Sequence, residues 1–177
     1  MKLNNYNNLL ELFFDQYEKQ DKNNIFLINL GNPKHKLSWE KTYLLVNHLS
    51  NQISKDIKLG DRCVLISENR PEWLISDLAI MLAGGISVPS YTTYTTKDYE
   101  YIIKDCEPSV IIVSNNIQFN KIKNILDYKK IKKIISFDRI ENLKFQNYLC
   151  IEDIINKKEG FENFNSEITL KLSLIHI

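Results

Sequence analysis

Residues 63–90 read CVLISENRPEWLISDLAIMLAGGISVPS, and this stretch decides the fold class. It begins with a short apolar, β-prone run at Cys63–Ile66 and ends with a second one at Ile86–Pro89. Between them, apolar residues recur with helical spacing from Trp73 to Leu82, and Gly84 offers a left-handed end for the helix. A strand, a helix and a strand in this order predict a βαβ unit with parallel strands.

Capping signals mark the ends of the predicted helices. Asn69 is predicted to cap the helix of this unit, and Pro71 lies near its start, where a missing N–H costs nothing. Thr95 and Asp98 have the Ser/Thr-x-x-Asp/Glu spacing of a capping box and predict the start of the next helix. These signals are local, so they predict helix starts whatever surrounds them.

The alternation of strands and helices continues in both directions. Val110–Val113 is apolar and β-branched throughout, which predicts a strand covered on both faces. Ser38 is predicted to cap a helix over 39–57. The remaining predicted elements are helices at 6–19, 117–128 and 151–158 and strands at 25–30, 131–137 and 170–177. The whole pattern predicts an α/β fold of the Rossmann-like kind, a mostly parallel sheet with flanking helices.

The last part of the sequence differs from the rest. Residues 157–170 are charged and contain Gly160, which predicts an exposed linker before the final strand. Ligands of open α/β sheets bind on the loops that follow the strands, and no loop follows 170–177. The sequence is therefore expected to be a piece of a longer protein.

The composition is typical of an ordinary globular domain. Lys and Arg number 23 against 22 Asp and Glu, a formal net charge of +1, so no nucleic-acid partner is predicted. No apolar run approaches the roughly 20 residues that cross a bilayer, so no transmembrane segment is predicted. Cys63, Cys106 and Cys150 have no CxxC spacing and are predicted to be buried or half-buried free thiols. Free thiols indicate a reducing compartment and hence a cytoplasmic protein.

Several common kinds of site are excluded. With only 5 Gly, neither a G-x-G-x-x-G nor a G-x-x-x-x-G-K-[ST] phosphate loop can be written, and no Gly-x-Ser-x-Gly elbow occurs. The 3 His lie in unrelated contexts, so no metal site is predicted. Lys129, Lys130, Lys132 and Lys133 flank one isoleucine and are predicted to form a solvated face.

Two loops are candidates for binding. Residues 67–73 follow a strand and open a helix, where Glu68 or Arg70 could touch a ligand; helix capping and packing of Trp73 explain most of the segment and are the favoured interpretation. Residues 90–96 are seven consecutive hydroxyl-bearing side chains. They either bind a ligand, with the tyrosines stacking on it, or satisfy their own backbone, and these alternatives are evenly balanced.

Five blocks of the sequence resemble the AMP-forming acyl-CoA synthetase superfamily, and within it the long-chain fatty-acid–CoA ligases. They are Leu37-Ser38-Trp39, Gly60–Ile66, Ser67–Trp73, Ala83–Pro89 with the Tyr91–Thr95 loop, and Tyr101–Asp105. Their order and spacing match throughout. The resemblance implies a two-step ligase: a fatty acid attacks ATP, with Mg²⁺ present, to give an acyl-adenylate, and CoA then displaces AMP to form a thioester.

The resemblance also implies which parts are missing. The family's phosphate loop, adenylate motif, ribose-binding Asp and C-terminal Lys lie later in the chain, so residues 1–177 are expected to be a partial N-terminal ligase domain, inactive alone and without catalytic residues. Tyr91, Thr92 and Thr93 are the candidates for the CoA side of the site. Related acetyl-CoA synthetases have aromatic-Gly-Gly there, from which the two threonines depart. Peripheral contact with a membrane is compatible with the resemblance.

A different class of function remains as an alternative to the ligase. The sequence also suits a free-standing, non-enzymatic α/β interaction or regulatory module derived from such a ligase. Cooperative two-state unfolding of the isolated 177 residues would favour the module, and aggregation would favour the fragment.

Overall fold

A computed structural model describes residues 6–33 and 35–156 of the chain. The helices and strands in these ranges are α1 (Leu9–Lys19), β1 (Ile25–Ile28), β2 (Lys36–Ser38), α2 (Trp39–Ser54), β3 (Arg62–Ile66), α3 (Pro71–Leu82), β4 (Ile86–Ser90), α4 (Thr96–Cys106), β5 (Val110–Val113), α5 (Asn116–Ile122), β6 (Lys133–Ser136), β7 (Tyr148–Cys150) and α6 (Ile151–Asn156). The predicted linker and the predicted strand at 170–177 lie outside the described residues.

Within the described ranges, five strands form one parallel sheet in the order β4-β3-β5-β6-β7. Every neighbouring pair in this sheet is parallel, and β1 and β2 form a separate antiparallel hairpin. The chain runs from β3 to β4 on one side and then crosses back past β3 to β5 on the other side. The predicted α/β fold with a mostly parallel sheet and flanking helices is confirmed.

The two faces of the sheet carry separate hydrophobic cores, because alternate strand residues point to opposite faces. One face, with Cys63, Leu65 and Ile112, is covered by α1, α2, α3 and α6. The other face, with Val64 and Ile111, is covered by α4 and α5. All four residues of β5 are buried, as predicted for a strand with helices on both sides. The helix that follows β3 and the helix that follows β5 therefore lie on opposite faces.

Most of the predicted capping signals are confirmed. Ser38 caps α2 by accepting from the backbone N–H of Lys41, and Thr95 and Asp98 form the complete capping box of α4. Gly84 has φ +82° just beyond α3, the left-handed conformation predicted for it. The predicted Asn69 cap is wrong, because Arg70 is the N-cap residue of α3 and makes no capping bond with its side chain.

Three-residue strands and helix ends account for the other differences from the sequence prediction. Strands β2 and β7 were not predicted, since each is too short to show a period and exists through its pairing with β1 or β6. Helix α2 ends at Ser54, because the backbone N–H of Asp56 turns back to the carbonyl of Ile53. Helix α5 ends at Ile122, well before 128.

Two predictions about single residue types have different outcomes. Cys63 and Cys150 are buried and Cys106 is half-buried, all as free thiols, as predicted. Lys133, however, is only 5% exposed, so the prediction of a solvated lysine face is wrong at this position. Its ammonium lies 2.6 Å from an Asp56 carboxylate oxygen and donates to the Gln52 carbonyl at 2.9 Å. This ion pair compensates the burial of the lysine charge.

Within residues 6–33 and 35–156, no helix has the length and the apolar character required to pass through a membrane.

Candidate functional site

The carboxyl edge of the parallel sheet has the geometry of a binding crevice. Ligands of open α/β sheets bind where the loops after two adjacent strands diverge to opposite faces. Here that point lies between β3 and β5, because α3 covers one face and α5 the other. The loop 67–70 follows β3, the loop 114–115 follows β5, and the loop 91–95 follows the neighbouring strand β4. The three loops together form the edge site.

A hydrogen bond between Gln118 and the Glu68 carboxylate connects the two sides of the crevice. The Gln118 side-chain amide on α5 donates to Glu68 Oε1 at 2.9 Å, which connects the loops after β3 and β5. Burial raises the pKa of Glu68, but the neighbouring Ser114 hydroxyl, the Gln118 amide and the charge of Arg70 outweigh this and hold it below its usual value. Glu68 therefore stays ionised at neutral pH.

Two buried polar side chains lie at this edge, Gln118 against Glu68 and Ser90 at the end of β4. Gln118 and Ser90 are each 5% exposed. In the part of the chain that the structure describes, the Gln118 carbonyl oxygen and the Ser90 hydroxyl have no hydrogen-bond partner. Buried polar groups generally require such a partner, so both atoms are available to a polar ligand at this edge.

The loop after β4 carries the three candidate residues that the sequence suggested. Tyr91 is 72% exposed, Thr93 is exposed and Thr92 is half-buried. The loop backbone is held from two helices: the Tyr99 hydroxyl donates to the Tyr91 carbonyl at 2.7 Å, and the Lys121 ammonium donates to the Thr92 carbonyl. The loop therefore presents the Tyr91 ring to solvent on a fixed backbone.

Three tyrosines form an aromatic row that leads from this loop to α4. The rings of Tyr91 and Tyr94 meet edge to face at 5.5 Å, and those of Tyr94 and Tyr99 at 5.9 Å. Burial, together with the negative charge of Glu68, raises the pKa of Tyr99 to about 12, so its hydroxyl keeps its proton. A protonated Tyr99 can donate to the Tyr91 carbonyl across the whole physiological pH range.

Arg70, in the same loop as Glu68, forms a second cluster with Glu72 of α3 and Asp138 after β6. Its guanidinium donates to both carboxylate oxygens of Asp138 at 2.7 and 2.8 Å and lies 3.3 Å from Glu72. Glu72 is only 3% exposed, and its other carboxylate oxygen lies 3.7 Å from His35 Nδ1. The Asp138 hydrogen bonds, more than the other contacts, raise the pKa of Arg70. Arg70 is therefore held by ion pairs within the protein, which agrees with a structural rather than a ligand-binding role for this residue of the loop 67–70.

The structure brings some candidates together and adds residues that the sequence analysis missed. Glu68 and the Tyr91–Thr93 loop lie at the same edge, and Tyr99 interacts with both. Gln118, Lys121 and Asp138 were not singled out, because each acts through a partner at least 29 positions away in the chain. Thr95 is occupied by the capping box, which confirms that part of the self-satisfied alternative for residues 90–96.

The edge site offers acceptors, hydroxyls, an exposed aromatic ring and one ammonium. In the described ranges, no three His, Cys, Asp or Glu side chains are grouped so that they could hold a metal ion. The arrangement suits binding of a planar, polar molecule at the Tyr91 loop.

A parallel sheet with helices on both faces and a polar carboxyl edge defines an open α/β protein with a ligand crevice. Within this class the chain belongs to the AMP-binding enzyme family, whose sequence model matches residues 13–158. The described sheet corresponds to the N-terminal part of the ligase domain of that family.

Curated relatives are long-chain-fatty-acid–CoA ligases. One from Xenopus laevis is 30% identical over 99 residues, which are 54% of this chain and 13% of the relative. One from Mycobacterium tuberculosis is 34% identical over 64 residues, which are 36% of this chain and 11% of the relative. The chain thus matches only a small part of the length of these relatives.

Solved structures show the same fold. Coronafacic acid ligase from Pectobacterium brasiliense superposes with a TM-score of 0.70 at 20% identity, covering 82% of this chain and 29% of that one. The anthranilate CoA ligase AuaEII, in complex with anthranoyl-AMP, superposes with a TM-score of 0.64 at 22% identity, covering 77% of this chain and 27% of that one.

Proposed function

We propose that this chain is the N-terminal part of a long-chain fatty-acid–CoA ligase. The complete enzyme would activate a fatty acid with ATP to an acyl-adenylate and then transfer the acyl group to CoA. The observation that carries this proposal is the family match over residues 13–158, joined to relatives that are themselves named long-chain-fatty-acid–CoA ligases. The five sequence blocks that resemble these ligases lie in the same range.

The described residues would supply the scaffold and one substrate-binding edge. ATP with Mg²⁺ would be handled elsewhere in the enzyme, because the sequence contains no glycine-rich phosphate loop. No step on the phosphates is therefore assigned to residues of this chain.

The edge site fits one end of CoA. The exposed Tyr91 ring can stack on a purine, and the hydroxyls of Thr92 and Thr93 can hydrogen-bond to it. The Lys121 ammonium, next to the Thr92 carbonyl, adds the positive charge that a phosphate requires. These residues would bind and orient CoA before its thiol attacks the acyl-adenylate.

The proposed location follows from the same residues. Three free thiols suit a reducing compartment, so we place the enzyme in the cytoplasm, where its fatty-acid substrate would allow peripheral contact with membranes.

The activity of the isolated chain tests whether adenylation requires residues outside these 177. The purified 177 residues are expected to catalyse no ATP–pyrophosphate exchange with any fatty acid, whereas the longer parent polypeptide is expected to catalyse it. Exchange is measured as incorporation of labelled pyrophosphate into ATP. Exchange by the isolated chain would contradict the proposal, and so would a parent that activates no fatty acid.

The role of Tyr91 can be separated from the adenylation step. In the parent enzyme, Tyr91→Ala is expected to raise KM for CoA about tenfold, because base stacking on an aromatic ring contributes about 1–3 kcal/mol. ATP–pyrophosphate exchange should be unchanged, since it needs no CoA. Tyr101→Ala is the matched control, because Tyr101 is 71% exposed on α4 outside the loop. Equal KM values for CoA in the two variants would contradict the proposal that Tyr91 binds CoA.

A further inference from the structure

A second groove lies beside α5 and is lined by residues other than those of the edge site. It has a volume of about 520 Å³ between α5 with its following turn and the loop 140–144. This volume falls within the range of small-molecule sites. We propose that this groove binds a nucleotide, with the phosphates at its two lysines and the base against its aromatic wall.

The walls of the groove are held in place by hydrogen bonds. The loop wall is anchored where the backbone N–H of Ile140 donates to the Tyr148 hydroxyl at 2.8 Å, and that hydroxyl also contacts Ser136 at 2.6 Å. On the helix wall, the Tyr128 hydroxyl donates to the Lys123 carbonyl at 2.9 Å, which fixes the ring. A groove with fixed walls loses little conformational freedom when a ligand binds.

The floor of the groove is apolar. Phe119 is 5% exposed and Ile140 is 4% exposed, so both belong to the core under the groove. Tyr128 adds an aromatic surface that is 42% exposed, and its ring lies 6.0 Å from that of Phe145. An apolar floor beside an exposed aromatic ring suits a flat heterocycle.

The polar side chains of the groove complement a base and a phosphate. Asn116 and Asn120 lie one turn apart on α5 and so share one side of the helix, and Asn124 lines the groove from the turn that follows. Among the described residues, their amides form no hydrogen bond within the protein, so each can donate to and accept from a heterocycle edge. Nucleobases present both donors and acceptors at such an edge.

The groove also carries a positive charge from both walls. Lys123 lies on the helix wall and Lys144 on the loop wall, against one carboxylate, that of Glu141. Neither lysine has an ion-pair partner within 6–33 and 35–156, whereas Lys121 of α5 contacts the Thr92 carbonyl of the edge site. The groove is therefore distinct from the edge site, and the inference does not depend on the proposed ligase activity.

Binding of ADP to the 177-residue chain tests this inference. Isothermal titration calorimetry at low salt is expected to show saturable binding at one site. The double variant K123Q/K144Q is expected to weaken binding about tenfold or more, since charged hydrogen bonds to phosphate contribute about 1.5–3 kcal/mol. The control K58Q/K97Q removes the same charge from exposed lysines outside the groove and should leave affinity unchanged.

Further variants identify the part of the ligand that is recognised. Tyr128→Leu should weaken ADP but not inorganic pyrophosphate, and Tyr101→Ala, at a residue that is exposed on α4 outside both sites, should leave ADP binding intact. Absence of saturable ADP binding would overturn the inference, as would equal losses in the two lysine double variants. Loss in Tyr91→Ala alone would assign ADP to the edge site, and equal affinity for pyrophosphate and ADP would exclude a base-binding groove. Circular dichroism checks that each variant is folded.

Discussion

Replacing Arg70 by Met is expected to lower the free energy of unfolding by about 3 kcal/mol, because removing one partner of a buried ion pair leaves the other uncompensated. The partner left behind is Glu72, whose side chain is only 4% exposed. Asp138 would also lose both of its hydrogen bonds to the guanidinium. Urea unfolding followed by circular dichroism measures the loss.

A matched control is available one residue beyond Asp138. Arg139 also pairs with an aspartate, Asp153, but its side chain is 60% exposed, so Arg139→Met should cost less than about 1 kcal/mol. Adding Glu72→Gln to the Arg70→Met variant should recover part of the loss, because it removes the buried charge. Similar losses for the two arginine variants would show that Arg70 does not stabilise a buried carboxylate.

Ile112→Ala is expected to destabilise the chain by about 3–4 kcal/mol, since removing a fully buried isoleucine side chain leaves a cavity. Ile112 is 0% exposed at the centre of β5, between β3 and β6. Loss of this size is a large share of the 5–15 kcal/mol that typically stabilises a domain. The shift in the urea midpoint at constant slope measures it.

Ile117 provides the matched control for this substitution. It is 68% exposed on α5, so Ile117→Ala should change the free energy of unfolding by less than about 0.5 kcal/mol. A small effect at Ile112, comparable with that at Ile117, would mean that β5 is not the centre of the sheet.

The sequence predicted those parts of the fold whose signals are local. The Thr95–Asp98 capping box involves residues three apart, and the four β-branched residues Val110–Val113 report their own burial. The strand β7 was missed because its three residues, Tyr148–Cys150, form a strand through pairing with β6. Helices and strands were therefore predictable where the residues that specify them lie within one helical turn or one strand.

The edge site was predictable only in part. The hydroxyl-rich run around Tyr91 is visible as a sequence feature, and the structure places it after β4. The partners of Arg70 and Glu68, Asp138 and Gln118, are 68 and 50 residues away, so only the fold brings them together. Lys133 was misjudged for the same reason, since its Asp56 partner comes from the end of a distant helix.

The loops of the carboxyl edge are tied to one another by side chains from different elements. Gln118 holds Glu68, Tyr99 and Lys121 hold the loop of Tyr91, and Asp138 holds Arg70. A surface assembled in this way has already lost its freedom of movement before any molecule arrives. The entropic penalty of ordering loops is thus met during folding, and a ligand can convert more of its contact energy into affinity.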